Sequence, residues 1–141
     1  MNNFHNLVEE ICKKDARYKP DAYEFVLEGL HFTQDILKKQ PLYKAKLTTG
    51  QAHVSGQELS QGLRDYAINQ YGALAGRVLA HWGINQTQDF GNIVFNMVER
   101  KLFSKTEEDS LADFKDVYDF KTAFSDVLTY NVIKEGLRSK E

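Results

Sequence analysis

A mainly α-helical domain is what this sequence predicts, and three observations predict it. Apolar residues return every three or four positions through about six separate stretches, which puts hydrocarbon along one face of each at 3.6 residues per turn. Residues that start or stop helices, Pro20, Ser55 with Glu58, Gly72 and Gly83, fall at the edges of those stretches. The 141 residues are enough for one domain, which at this size buries roughly two-thirds of the surface its unfolded chain exposes. Residues 1–141 are therefore read as a single helical unit.

Phe4, Leu7, Val8, Ile11 and Cys12 form the stripe of a first helix that should end near Asp15. A second starts at Pro20, whose fixed φ suits a first turn, with Asp21 complementing the helix dipole. Ala22, Phe25, Val26, Leu30, Thr33, Ile36 and Leu37 make its inward face, and Pro41 marks its end. Residues 41–54, PLYKAKLTTGQAHV, lack a helical period and read as a connection.

Ser55 and Glu58 then have the spacing of a capping box, in which each side chain satisfies a free backbone donor. Leu59, Leu63, Tyr66 and Ala67 line the third helix, which Gly72 should stop. Leu74, Ala75, Val78, Leu79 and Trp82 line the fourth, closed by Gly83; Trp82 is expected to brace it against Phe90 and Ile93 of the fifth. The fifth begins with Thr87 as cap, turns Phe90, Ile93, Val94, Met97 and Val98 inward, and runs to about Lys101.

Residues 102–118 hold two short apolar pieces separated by charged turn residues, which fits a short β-hairpin or an irregular acidic loop. Compact helices followed by a hairpin would be winged-helix-like. Phe120, Ala123, Phe124, Val127 and Leu128 line a last helix, and residues 134–141 read as a frayed tail.

Charge bounds the partners. The chain carries 18 basic and 20 acidic residues, a net charge of −2 that offers little attraction to a nucleic acid. Lys105 and Lys115 stand against Glu107, Glu108, Asp109, Asp113, Asp116 and Asp119, so residues 104–119 form one acidic segment. The opening MNNFHNLVEE lacks a signal peptide's cationic and apolar regions, and no run approaches the ~20 apolar residues of a membrane span. The expected compartment is the cytoplasm, with no membrane partner. The single cysteine, Cys12, lies on an apolar stripe and reads as a small core residue.

Motifs for chemistry are sparse. His53, Ser55 and Gly56 could suggest a nucleophile with its base, but no orienting acid or oxyanion hole accompanies them, and helix capping accounts for Ser55. His5, His31, His53 and His81 lie outside any zinc-ligand spacing. The letters DFG at Asp89, Phe90 and Gly91 lack every other kinase element. The glycines lack the Lys and Ser/Thr of a P-loop. Tyr18, Tyr43, Tyr71 and Tyr130 are the aromatics least clearly inward, a possible small patch for a partner. No catalytic residue, cofactor or metal ligand is assigned.

The stretch HVSGQELSQGLRDYAINQYGALAGRVLAHWGI and the pieces DFGNIVFNMV and SKTEEDSLADF carry a resemblance. They resemble a family of uncharacterised small bacterial proteins of Verrucomicrobia and Planctomycetes. The resemblance spans nearly the whole chain and implies a single domain of bacterial cytoplasmic origin. It implies no activity and transfers no catalytic residue.

Three functional readings follow. The leading one is a non-catalytic interaction or regulatory module that meets a basic protein through Glu107, Glu108, Asp109, Phe114 and Tyr118, where acids steer and rings anchor. The second is nucleic-acid binding, with Gln88, Asn92, Asn96, Glu99 and Arg100 of the fifth helix as readers. The third is an enzyme or small-ligand binder whose site assembles only in the fold, with His53, Gln57, Arg64 and His81 as its polar cluster.

Overall fold

A computed structural model describes residues 3–40, 54–102 and 110–125. Five α-helices are bounded among them: α1 (Asn3–Lys14), α2 (Pro20–Leu37), α3 (Gly56–Tyr71), α4 (Ala75–His81) and α5 (Thr87–Glu99). Residues 120–125 are also helical. The described residues contain no strand. The described part of the expected hairpin is instead a 3-10 turn over Leu111–Phe114; residues 103–109 lie outside the described set, as do the connection 41–53 and the tail 134–141.

α2 packs against α1, α3 and α5. Its crossing with α3 is closed by reciprocal insertion. A Cβ on Gly62 would collide with the Thr33 side chain, and a Cβ on Gly29 would collide with Cδ2 of Leu63. Each helix thus supplies one glycine, and the neighbour's side chain fills the space where a Cβ would stand. The core around this crossing includes Tyr23, Phe25, Val26, Leu63, Leu79, Phe90, Ile93 and Met97.

Helix ends follow the sequence signals closely. Pro20 is the first residue of α2. The Ser55 hydroxyl accepts from Glu58 N at 3.0 Å while Glu58 Oε1 accepts from Ser55 N at 3.1 Å, so the capping box is present. α4 ends in a Schellman turn: Gly83 N donates to Ala80 O at 3.0 Å and Ile84 N to Leu79 O at 2.9 Å. Gly83 sits at φ +94°, a conformation other residues avoid, and the Arg17 carbonyl occupies the place a Cβ would take. Lys19 N adds a 3.1 Å bond to Trp82 O. The α1–α2 turn is thereby fastened to the end of α4.

Four expectations about helix residues need correction. Ile36, expected on the inward face of α2, is 41 % exposed. Thr87 is not the cap of α5 but its first residue, fully buried, with Gln86 preceding it as N-cap. Leu74 lies in a 3-10 turn (Gly72–Leu74) ahead of α4 and is 56 % exposed, because the three-residue turn shifts the helical register away from the core. Trp82 meets the rings of Phe25 of α2 and Tyr71 of α3, and among the described residues it makes no ring contact with Phe90. The Schellman turn reverses the chain immediately after it, which leaves its ring on the α2 side.

A polar seam holds α5 to the α1–α2 turn. Tyr18, placed by the sequence among the less inward tyrosines, is only 3 % exposed. Its hydroxyl donates to Asp89 Oδ1 at 2.6 Å and accepts from Asn92 Nδ2 at 2.8 Å. Asn96 Nδ2 reaches Asp15 Oδ2 at 2.9 Å and the Tyr23 hydroxyl at 3.0 Å. Arg100 pairs with Glu10 at 2.8 Å. Burial pushes the Cys12 thiol pKa up, with Asp15 adding to the effect; its Sγ faces the Tyr18 carbonyl at 3.6 Å.

Candidate functional site

The acidic segment does not present its rings as anchors. Phe114 is 4 % exposed and packs onto Gly91 of α5, which has no side chain to hold it off. Tyr118 is half-buried, its hydroxyl donating to Ser60 O at 2.8 Å and its ring stacked on Phe120 at 5.7 Å. Both side chains are spent on holding residues 110–118 to the body. Leu111, at 50 % exposed, is the apolar residue this segment does present. Glu107, Glu108 and Asp109 lie outside the described residues.

Three of the four residues of the expected polar cluster are described. His53 is outside the described residues. Gln57 is exposed in a shallow groove between the end of α2 and the start of α3. Arg64 donates to Ala123 O at 3.2 Å and lies 3.6 Å from Asp65. His81 is exposed at the last residue of α4. Among the described residues no hydrogen bond or ion pair joins any two of Gln57, Arg64 and His81.

A different constellation does converge. Asp21, Glu24 and Glu28 recur at three- and four-residue steps along α2, which stacks their carboxylates on one side of the helix. Phe25 lies beside them at the floor, 3 % exposed. Tyr71 arrives from the last residue of α3 and Trp82 from the C-cap of α4. Together these six side chains line a cleft of about 240 Å³. Its aromatic wall is continuous: Tyr71 meets Trp82 edge-to-face at 5.8 Å and Trp82 meets Phe25 at 5.6 Å. Outside the lining, Phe25 also meets Tyr66 at 5.4 Å.

The carboxylates are not equivalent. Glu28 Oε2 accepts from the Tyr66 hydroxyl at 2.8 Å. Asp21 and Glu24 have no hydrogen bond or ion pair among the described residues. Burial, and then the bond to Glu28, push the Tyr66 hydroxyl up to about 12. Burial likewise raises Tyr71, with Glu28, Asp21 and Glu24 adding negative potential. Both phenols therefore remain protonated at neutral pH. The cleft combines negative charge with the electron-rich faces of rings, a combination that favours a cation.

Among the described residues, no three His, Cys, Asp or Glu side chains are placed to hold a metal ion. No helix among them is long and apolar enough to cross a membrane. The chain matches no protein-family model, no curated protein and no solved structure.

Sequence reading missed this cleft because its parts come from three helices. Asp21 was visible only as a first-turn acid, Tyr71 as a tyrosine of uncertain direction and Trp82 as core. The one available signal was the 21, 24, 28 spacing of acids beside the inward Phe25, on a helix whose polar face otherwise needs no such order.

Proposed function

We propose that this protein is a non-catalytic recognition module of the bacterial cytoplasm that docks a basic side chain of a partner protein in the cleft of Asp21, Glu24, Glu28, Tyr71 and Trp82. One observation carries this reading: two carboxylates without partners among the described residues face a cleft walled by aromatic rings. A lysine or arginine entering it exchanges water for charge-assisted hydrogen bonds and for contact with ring faces. The surface that meets a basic partner thus lies on α2 and not on the acidic segment 104–119. The resemblance to the small bacterial family adds a cellular setting and no activity.

The nucleic-acid reading is less well supported. Asn92, Asn96 and Arg100 are bonded to Tyr18, to Asp15 and Tyr23, and to Glu10, while Gln88 Nε2 donates to Asp116 at 3.2 Å. A reading helix needs those groups free for base edges.

Trp82 is the only tryptophan of the chain, so its fluorescence reports on the cleft alone. Titration with a short arginine- or lysine-containing peptide should change its emission saturably and in a salt-sensitive manner. Asp21→Asn with Glu24→Gln should weaken the response by about tenfold or more, the loss expected of a charge-assisted contact. Unchanged emission with both peptides, or equal affinity in the double variant, would refute the reading.

A further inference from the structure

A second concavity, sharing no residue with the acidic cleft, lies between α4 and the helical residues 120–125, with a volume of about 290 Å³. We propose that it binds a small ligand in which a planar ring carries a phosphate or carboxylate. Arg77 of α4 and Lys121 of the facing helix both line it, and among the described residues no acidic side chain does. Neither cation has a hydrogen bond or ion pair among the described residues. On a chain of net charge −2, two cations at one concavity with no acidic neighbour among its described lining residues are a local reversal of sign. Concave walls concentrate such a field on an incoming anion.

The remaining lining defines the rest of the ligand. Phe120 and Phe124 meet edge-to-face at 5.1 Å, and Ile84 is fully buried beneath them, so the floor is apolar and partly aromatic. Asn85 at the rim uses one amide hydrogen in a long 3.4 Å bond to Gly83 O. A guanidinium matches a two-oxygen anion through paired N–H donors, which selects carboxylate or phosphate over a monatomic ion. The volume falls near the lower end of the roughly 300–1,000 Å³ of ligand pockets. It suits one ring with its anionic group and is too small for a dinucleotide.

Phenyl phosphate is the probe, followed by chemical-shift titration of the full chain. Saturable shifts should appear at the amides of Arg77, Asn85 and Lys121. Inorganic phosphate and benzyl alcohol, which each supply half of the chemistry, should bind at least about tenfold more weakly. Arg77→Gln and Lys121→Gln should each weaken phenyl phosphate by about tenfold, and since both side chains are exposed the melting temperature should not move. Ala80→Trp should block the groove without altering its charge; Ala80 is exposed, so this variant also keeps its fold. The proposal is overturned by absence of shifts at millimolar phenyl phosphate, by wild-type affinity in the Arg77→Gln/Lys121→Gln double variant or in Ala80→Trp, or by equal binding of either half-probe.

Discussion

Tyr18 and Asp89, 71 positions apart, share a buried 2.6 Å hydrogen bond that joins the α1–α2 turn to the start of α5. The other carboxylate oxygen accepts from Asn85 N at 2.8 Å and Gln86 N at 3.1 Å. One side chain therefore caps a helix and ties it to a distant turn. Tyr18→Phe keeps the ring and removes the hydroxyl, leaving Asp89 Oδ1 and Asn92 Nδ2 without it. The expected cost is about 1–3 kcal/mol, the range for orphaning buried polar groups. Urea denaturation measures it; a loss below about 0.5 kcal/mol would mean that water replaces the hydroxyl at no cost.

Asp15 makes stability depend on acid. Hydrogen bonds from the Arg17 side chain hold its carboxyl well below the usual carboxylate range; Asn96 assists and partial burial opposes. A carboxyl with a lowered folded pKa contributes stability above its unfolded value of about 3.9 and loses it as pH falls further. Asp15→Asn should thus be less stable than the wild type at pH 7, and the gap should close progressively below about pH 4. Denaturation midpoints of the two proteins between neutral pH and pH 2 supply the comparison. A gap independent of pH would assign the effect to hydrogen-bond geometry instead of charge.

What the sequence disclosed was local. Ser55 with Glu58, Pro20, Gly72 and Gly83 each act within a few residues of themselves, so helix boundaries were legible from them. The apolar stripes likewise gave most of the core, including Val26, Leu63, Phe90 and Met97. What stayed hidden depends on which elements meet. The inward turn of Phe114 is decided by Gly91, and the direction of Trp82 by the Schellman turn and by Phe25. The acidic cleft needs α2, α3 and α4 to be placed before its residues become neighbours, and no spacing along the chain encodes that.

Gly62 should be a position where alanine harms a helix. In most helix interiors Gly→Ala is worth roughly 0.5–1 kcal/mol of stabilisation. Here a methyl group would meet the buried Thr33, whose hydroxyl is already fixed by a 2.7 Å bond to Gly29 O. Overpacking of about 1–3 kcal/mol should prevail, giving a net loss of about 1–2 kcal/mol. Adding Thr33→Ala removes the obstructing atoms and should recover part of that loss, a non-additivity that a double-mutant cycle reads directly. Strict additivity would show that α2 and α3 separate freely at this crossing.

Thr87 should govern residues 110–118 more than it governs its own helix. Its buried hydroxyl donates to Phe114 O at 2.6 Å and accepts from Val117 N at 3.2 Å, so one side chain satisfies two backbone groups of that segment. Nearby, Ser110 N donates to Asp113 Oδ2 at 3.0 Å, and Gly56 lies where a Cβ would strike Asp113. Thr87→Val preserves shape but removes both bonds, at an expected cost of about 1–3 kcal/mol. The loss should be local, since α5 keeps Phe90, Ile93 and Met97 in the core and Asp89 at its start. Amide exchange at Val117 should accelerate by about tenfold or more while amides in the middle of α5 change less. Equal acceleration at both sites would show that the segment and the helix open as one unit, and that Thr87 contributes to global stability instead of pinning the segment.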